Sequence, residues 1–289
     1  MLKVIRPGNP KRQVTSRLAL FCNPADNAVV TSMCADLFAA DTGLVLFGSG
    51  VPEGAQAAQE RLQTLLLEQA VRTDFALLFT RDELRLCDLS ARDALGSGSV
   101  ALVVTELTRR VGARTELHRA CLSGVSTPSV LDPYAGWGMD ALALVGEGAE
   151  VECVEQQPAM VALLRDAQRR VPTHLAARLK VTCGDALDVL RSTGQEGGAY
   201  DVVYLDPMFA PRKKGALPNK RLQFLAQLCA SEAPTTKQLG DLVALACKKA
   251  RKHVVLKRRK RDPQLPGMTP ARQVVGTSVR YDVFLPTGA

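Results

Sequence analysis

The chain is 289 residues long, 46% hydrophobic and 23% charged, a balance that excludes a disordered polymer and leaves room for two domains or one large one. Its formal net charge of +8 favours an anionic partner, of which nucleic acid is the commonest, and no apolar run is long enough for a membrane-spanning helix. Eight cysteines form no C-x-x-C pair and sit mostly in apolar runs, which points away from a zinc site and toward a reducing, intracellular compartment.

In chain order, residues 1 to 25 carry Lys3, Arg6, Lys11, Arg12 and Arg17, and the first acid is Asp26. This reads as a basic arm on a cytoplasmic nucleic-acid binder. A mitochondrial presequence is the alternative, but Pro7, Pro10 and Pro24 do not suit its amphipathic helix. Strands are expected at Leu18–Cys22, Leu44–Phe47, Phe75–Phe79, Leu84–Cys87 and Val100–Val104. The second pair of Phe75–Phe79 and Leu84–Cys87 reads as a hairpin turning on Thr80 to Glu83. An amphipathic helix is expected over Gln56–Val71, with Leu62, Leu65, Leu66 and Gln69 at helical spacing. Residues 1–115 therefore read as a small α+β domain, an RNA-binding candidate without a catalytic constellation.

From residue 129 the rhythm changes. Strands at Ser129–Asp132, Glu150–Val154, Leu179–Thr182, Asp201–Leu205 and His253–Lys257 alternate with helices at Asp140–Val145, Pro158–Arg170, Ala186–Leu190 and Thr236–Ala250. That alternation predicts a mostly parallel, doubly wound sheet over residues 116–289. Gln273–Val275 and Val279–Leu285 leave no room for a helix between them and read as an antiparallel hairpin closing the sheet edge.

Four strand ends carry the chemistry. Gly136 and Gly138, after the first strand and before a helix, let backbone approach a ligand and expose helix N–H groups. Glu155 follows 19 residues after Gly136, at the end of the next strand, where an acid can bind ribose hydroxyls of a nucleoside cofactor. Asp185 ends the third strand, placed to meet an adenine amine, to cap the next helix, or both. "YLDPMF" ends the fourth and is followed by Arg212, Lys213 and Lys214. A dinucleotide also suits a G-x-G-x-x-A turn, but a dehydrogenase has no use for Asp-Pro-Met-Phe before a basic cluster. A methyltransferase acting on a base's exocyclic amine does: Asp206 and the Pro207 carbonyl accept the amine's N–H bonds, Phe209 stacks on the base, and cations hold the phosphates. Between Pro207 and Asp262 there are fifteen cations and three acids. The run is read as an RNA-phosphate surface that includes Arg212, Lys213, Lys214, Lys257, Arg258 and Arg259.

On these residues the chain resembles the RsmJ type of small-subunit ribosomal RNA guanine-N2 methyltransferase. The resemblance rests on Asp132-Pro133-Tyr134-Ala135-Gly136-Trp137-Gly138-Met139-Asp140, on Glu155, on Tyr204 to Phe209, on Val254-Val255-Leu256-Lys257-Arg258, and on "RYDVF" from Arg280 to Phe284. It implies a Rossmann-like fold and S-adenosylmethionine as cofactor, contacted at Met139, Asp140, Glu155, Gln156, Gly184, Asp185 and Asp206, with Asp132 in the glycine-turn motif. It also implies methylation of a guanine 2-amino group in small-subunit ribosomal RNA or its particle. The family usually carries Arg where Met139 and Gln156 stand and a small residue at Tyr134. Those departures motivate one alternative, a non-catalytic RNA-binding or ribosome-assembly factor that keeps the fold.

Overall fold

The computed structural model describes residues 3–4, 14–15, 18–23, 26–36, 45–47, 51–52, 55–68, 71–80, 82–89, 99–101, 115–192, 200–207 and 234–287. Its contacts divide into two compact units. One gathers Met1–Val103 and, out of sequence, Pro158–Arg170; the other gathers Val104–Gln157 and the described residues from Val171 onward.

The first unit is built on a six-stranded sheet of β1 (Lys3–Val4), β3 (Leu18–Phe21), β4 (Val45–Phe47), β6 (Phe75–Thr80), β7 (Glu83–Asp88) and β8 (Ser99–Ala101), in the order β1-β4-β3-β6-β7-β8. β1, β4, β3 and β6 run parallel, and β6, β7 and β8 are antiparallel. The β6–β7 hairpin turns with Asp82 at a φ of 61°, in the left-handed region that a short polar side chain tolerates. Helix α1 (Asn27–Met33) follows β3, and α2 (Ala55–Glu68) lays Ala58, Leu62, Leu65 and Leu66 against Ala19, Phe21, Ala76, Leu78 and Cys87. The amphipathic pattern overran the end of α2. Val71 is not helical; Val71–Arg72 form β5, which pairs in parallel with β2 (Val14–Thr15). A β-branched residue here finds a strand partner more than fifty positions away, which no local periodicity shows.

Helix α5 (Pro158–Arg170) belongs with this unit. It starts with proline at its first position, where the missing N–H costs nothing. Asp166 is fully buried and accepts from Arg169 Nη2 at 3.1 Å and Arg170 Nε at 2.8 Å. Arg165 pairs with Asp36 at 2.5 Å, and the Arg169 guanidinium lies 5.7 Å over the Phe79 ring.

The second unit holds α3 (Glu116–Cys121) and a seven-stranded sheet: β9 (Ser129–Asp132), β10 (Glu150–Glu155), β11 (Leu179–Cys183), β12 (Tyr200–Leu205), β13 (Ala250–Arg259), β14 (Arg272–Val275) and β15 (Val279–Phe284). The order is β11-β10-β9-β12-β13-β15-β14, parallel through β13 and antiparallel beyond it. α4 (Met139–Gly146), α6 (Thr173–Ala176), α7 (Ala186–Ser192) and α8 (Thr236–Cys247) fill the connections. Leu131, Val203, Leu205, Val254 and Leu256 pack with Leu190 of α7 and with Leu242, Val243 and Ala246 of α8. Thr235 and Gln238 cap α8 reciprocally. α8 stops at Cys247, three residues before the end expected from its pattern, because Ala250 already pairs with Tyr200 to open β13. β13 is correspondingly longer than expected and takes Arg258 and Arg259 into the sheet. The strand order reverses between β9 and β12, so the crevice at their carboxyl ends is where an open α/β sheet binds ligands.

Candidate functional site

All the site residues described here lie in the second unit. The turn after β9 is held by main-chain bonds: Ala135 N donates to Val154 O at 3.1 Å and Gly138 N to Ala135 O at 2.7 Å. Gly136 and Gly138 have φ values of 51° and 66°, which a side chain would strain. Glu155, only 7% exposed at the end of β10, accepts from Gly136 N through Oε2 at 3.0 Å and from Gln157 N through Oε1 at 2.8 Å. Burial raises its pKa against those backbone donors. The Gln156 N–H is a third backbone donor to this carboxylate, whose two oxygens together offer about four acceptor sites, so capacity for one further donor remains. Trp137 is buried in the turn.

Asp132 is 2% exposed and accepts from Tyr134 N at 3.2 Å. Burial, reinforced by Asp140 and Asp206, pushes its carboxyl well above the usual carboxylate range. Met139 and Asp140 open α4; Gly184 N donates to Glu155 O at 3.1 Å, tying the end of β11 to that of β10. Asp185 is exposed and caps α7, its Oδ1 accepting from Leu187 N at 2.8 Å and Asp188 N at 3.1 Å. Gln156 is exposed beside Glu155.

The densest electrostatic feature joins the ends of β12 and β13 to α4. Lys257 Nζ donates to Asp140 Oδ2 at 2.6 Å and to Asp206 Oδ2 at 2.7 Å. The fully buried Tyr204 donates its hydroxyl to the same Asp140 oxygen at 2.7 Å. Burial, with Asp140 adding to it and Lys257 opposing, pushes the Asp206 carboxyl up to about 6. The two carboxylates raise the Lys257 pKa above its ordinary value despite its burial. Asp206 Oδ1 accepts no hydrogen bond from the described residues, and the side chain keeps 27% of its surface exposed. Pro207 is buried next to it.

The expected phosphate contacts separate on this frame. Lys257 neutralises two carboxylates rather than standing on an exposed face. Arg258 is only 4% exposed, on the opposite side of β13, with Nε 3.7 Å from Asp262 Oδ2. Both are corrected for the same reason: β13 continues past Lys257, so alternate side chains turn into the sheet's two packed faces. Arg259 is half-buried, while Lys260 and Arg261 are exposed at the carboxyl end. Lys248, Arg251 and Lys252 are exposed near the start of the strand, ten residues or about 30 Å away, and Arg251 is tied to Asp201 there at 3.3 Å. Phe209, Arg212, Lys213 and Lys214 lie outside the described residues.

The arrangement suits a nucleoside cofactor carrying positive charge. A glycine turn faces a buried carboxylate with spare acceptor capacity, and two further carboxylates share one lysine beside it. Among the described residues no group of His, Cys, Asp and Glu can hold a metal ion, and no helix is long and apolar enough to cross a membrane.

Comparison with known proteins agrees with this chemistry. Residues 60–286 match the SAM_MT family of SAM-dependent methyltransferases. The chain is 33% identical over 240 residues to the ribosomal RNA small subunit methyltransferase J of Ectopseudomonas mendocina, covering 80% of this chain and 90% of that protein. It is 32% identical over 243 residues to that of Thioalkalivibrio sulfidiphilus, covering 81% and 93%. The crystal structure of a SAM-dependent methyltransferase from Neisseria gonorrhoeae superposes with a TM-score of 0.63 at 24% identity, over 94% of this chain and 97% of that one, which supports the fold.

Proposed function

The chain belongs to the SAM-dependent methyltransferase family, and from that premise we propose that it transfers a methyl group from S-adenosylmethionine to the 2-amino group of a guanosine in small-subunit ribosomal RNA. The relatives' printed name supports the RNA class. The choice of nitrogen rests on the resemblance of the 204–209 motif.

The observation that carries the reading is Asp206: a half-buried carboxylate at the sheet's carboxyl edge, fixed through Oδ2 and open at Oδ1. S-adenosylmethionine, when bound, supplies an electrophilic methyl group on a positively charged sulfur. The chain's part is to hold, orient and discharge. Glu155 is assigned the ribose hydroxyls, Asp185 the adenine amine, and the Gly136–Asp140 turn, with Met139, the remainder of the cofactor; Gln156 and Gly184 flank it. Asp206 Oδ1 and the Pro207 carbonyl accept the amine's two N–H bonds, which keeps its lone pair aimed at the methyl. After transfer the nitrogen carries one surplus proton, which Asp206, with its pKa near neutrality, is suited to receive. No covalent enzyme intermediate is needed, and most of the acceleration comes from positioning and electrostatics. Phe209 is assigned the stacking face. Arg212, Lys213, Lys214, Arg259, Lys260 and Arg261 are assigned the phosphates, the first unit, which takes in Pro158–Arg170, an accessory RNA-binding role, the second unit the catalytic one, and the cytoplasm the location.

The test is incorporation of labelled methyl into unmodified small-subunit particles, with the product nucleoside identified after digestion. N2-methylguanosine is expected with the wild type, and at least a 100-fold slower rate with Asp206→Ala. Equal rates for the two would refute the role of Asp206, and label on another atom would refute the choice of amine.

A further inference from the structure

We propose that Lys257, anchored by Asp140, is a positioning residue for methyl transfer: it pins Oδ2 of Asp206 and holds that carboxylate ionised, leaving Oδ1 to accept the substrate amine. The inference rests on Asp206 being the amine's acceptor, as proposed above.

The geometry is a closed chain of hydrogen bonds. Tyr204 OH reaches Asp140 Oδ2 at 2.7 Å, Asp140 Oδ2 takes Lys257 Nζ at 2.6 Å, and Lys257 Nζ reaches Asp206 Oδ2 at 2.7 Å. It leaves β12 at a fully buried tyrosine, crosses the first turn of α4 and the end of β13, and ends on Asp206, the residue that follows β12. A lysine on a surface has four free torsions. This one is 18% exposed and held between two charge-assisted bonds, so its ammonium has one position. Asp206 inherits that order: one oxygen is fixed, and the carboxylate plane is set by Nζ.

The same arrangement decides the protonation state. The groups that face Asp206 are Asp132 from β9, Asp140 from α4, Lys257 from β13, Tyr281 from β15 and Tyr204 from its own strand. Among these described residues Lys257 is the only cation. Burial and the Asp140 carboxylate both favour a protonated Asp206, and they already bring it to about 6 with the lysine in place. An ion partner at this distance moves a carboxyl by about one to three pH units. Without Lys257, Asp206 is therefore protonated at neutral pH, and its O–H becomes a donor facing a donor amine.

The experiment reads the coupling directly and without cofactor. The protein is labelled with aspartate carrying 13C at the side-chain carboxyl and titrated by NMR; the Asp206 signal is the one missing from Asp206→Asn. The wild-type midpoint is expected near 6 and that of Lys257→Met at about 7 or above. Lys257→Gln, which keeps a donor but no charge, is expected to shift likewise and stands in if the methionine variant does not fold. Asp140→Asn added to the lysine variant is expected to bring the midpoint back down, because one repelling charge has gone. In parallel, the acid limb of kcat/KM for methyl transfer is expected to move up with the NMR midpoint. A purely structural lysine would lower the rate equally at every pH. An Asp206 midpoint unchanged within 0.3 pH unit in both lysine variants (about a twofold change in the protonation constant) overturns the proposal. A wild type that titrates near 6 but methylates no ribosomal RNA overturns the function proposed above and leaves the Lys257–Asp206 coupling standing.

Discussion

Replacing Glu155 by glutamine perturbs the proposed cofactor site with almost no change of shape. The carboxylate is 7% exposed and takes backbone N–H groups through both oxygens, Gly136 at 3.0 Å on Oε2 and Gln157 at 2.8 Å on Oε1, with the Gln156 N–H as a third donor. An amide has one acceptor oxygen, so its NH2 must face one of those donors. Leaving a buried N–H unpaired costs about 1–3 kcal/mol of stability. On the ligand side the variant loses the charged acceptor proposed for a ribose hydroxyl, worth about 2–3 kcal/mol, or roughly a 30- to 150-fold loss of affinity. The assay is calorimetric titration with S-adenosylhomocysteine, beside urea unfolding of the same preparations. If the variant folds with wild-type stability and binds within threefold of wild type, the ribose assignment is wrong. If stability falls but affinity does not, Glu155 serves the turn alone.

Two further predictions concern the scaffold. Asp166 is fully buried and bridges Arg169 and Arg170, whose side chains are 34% and 17% exposed. Asp166→Ala is expected to cost about 2–3 kcal/mol in urea unfolding, below the full cost of an unpaired buried charge because water reaches both arginines; a loss under about 0.5 kcal/mol would refute the role of this pairing. His253 donates its Nε2–H to Cys121 O at 3.2 Å, and burial and then Arg272 lower its pKa below 6.5. The unfolded chain therefore takes up the proton first, so stability is full above 6.5 and falls as pH drops through 6.5 toward the native value. Unfolding free energy measured from pH 7.5 to 5 should show that slope in the wild type and a shallower one in His253→Gln; identical slopes would exclude this histidine as the source.

How much of this was legible in sequence depends on the range of the forces involved. Pro158–Arg170 was read to both ends, and Ser129–Asp132 likewise, because proline, a solid apolar run and a closing polar turn act locally. β1, β2 and β5 were not read at all: two residues form a strand only when a distant partner supplies the pairing. The glycine turn, Glu155, Asp185 and Asp206 stand out in the sequence because each ends a strand. Lys257 and Arg258 were placed with the solvated cations because a run of charges hides the period of two. Continuing that period from Val254 would have separated them, with 254, 256 and 258 on one face and 255, 257 and 259 on the other. Nothing local says that the carboxylate of Asp140 faces Lys257 across 117 positions.

The site is a consequence of strand register more than of any single motif. Leu205 pairs with Leu256, so the next residues along the two parallel strands, Asp206 and Lys257, emerge side by side on the same face. A slip of one residue in β13 would turn Lys257 into the face now filled by Leu242, Val243 and Phe284, burying an unpaired ammonium among apolar side chains. The antiparallel partner guards against that slip. β15 matches β13 over six consecutive pairs, from Val254–Phe284 to Arg259–Val279, and Arg280 is locked by Asp282 at 3.0 Å and by Lys260 O at 3.1 Å. The carboxyl-terminal hairpin, which touches no proposed substrate atom, thereby fixes which side chain meets Asp206. Its "RYDVF" strand earns its place in the site through that register.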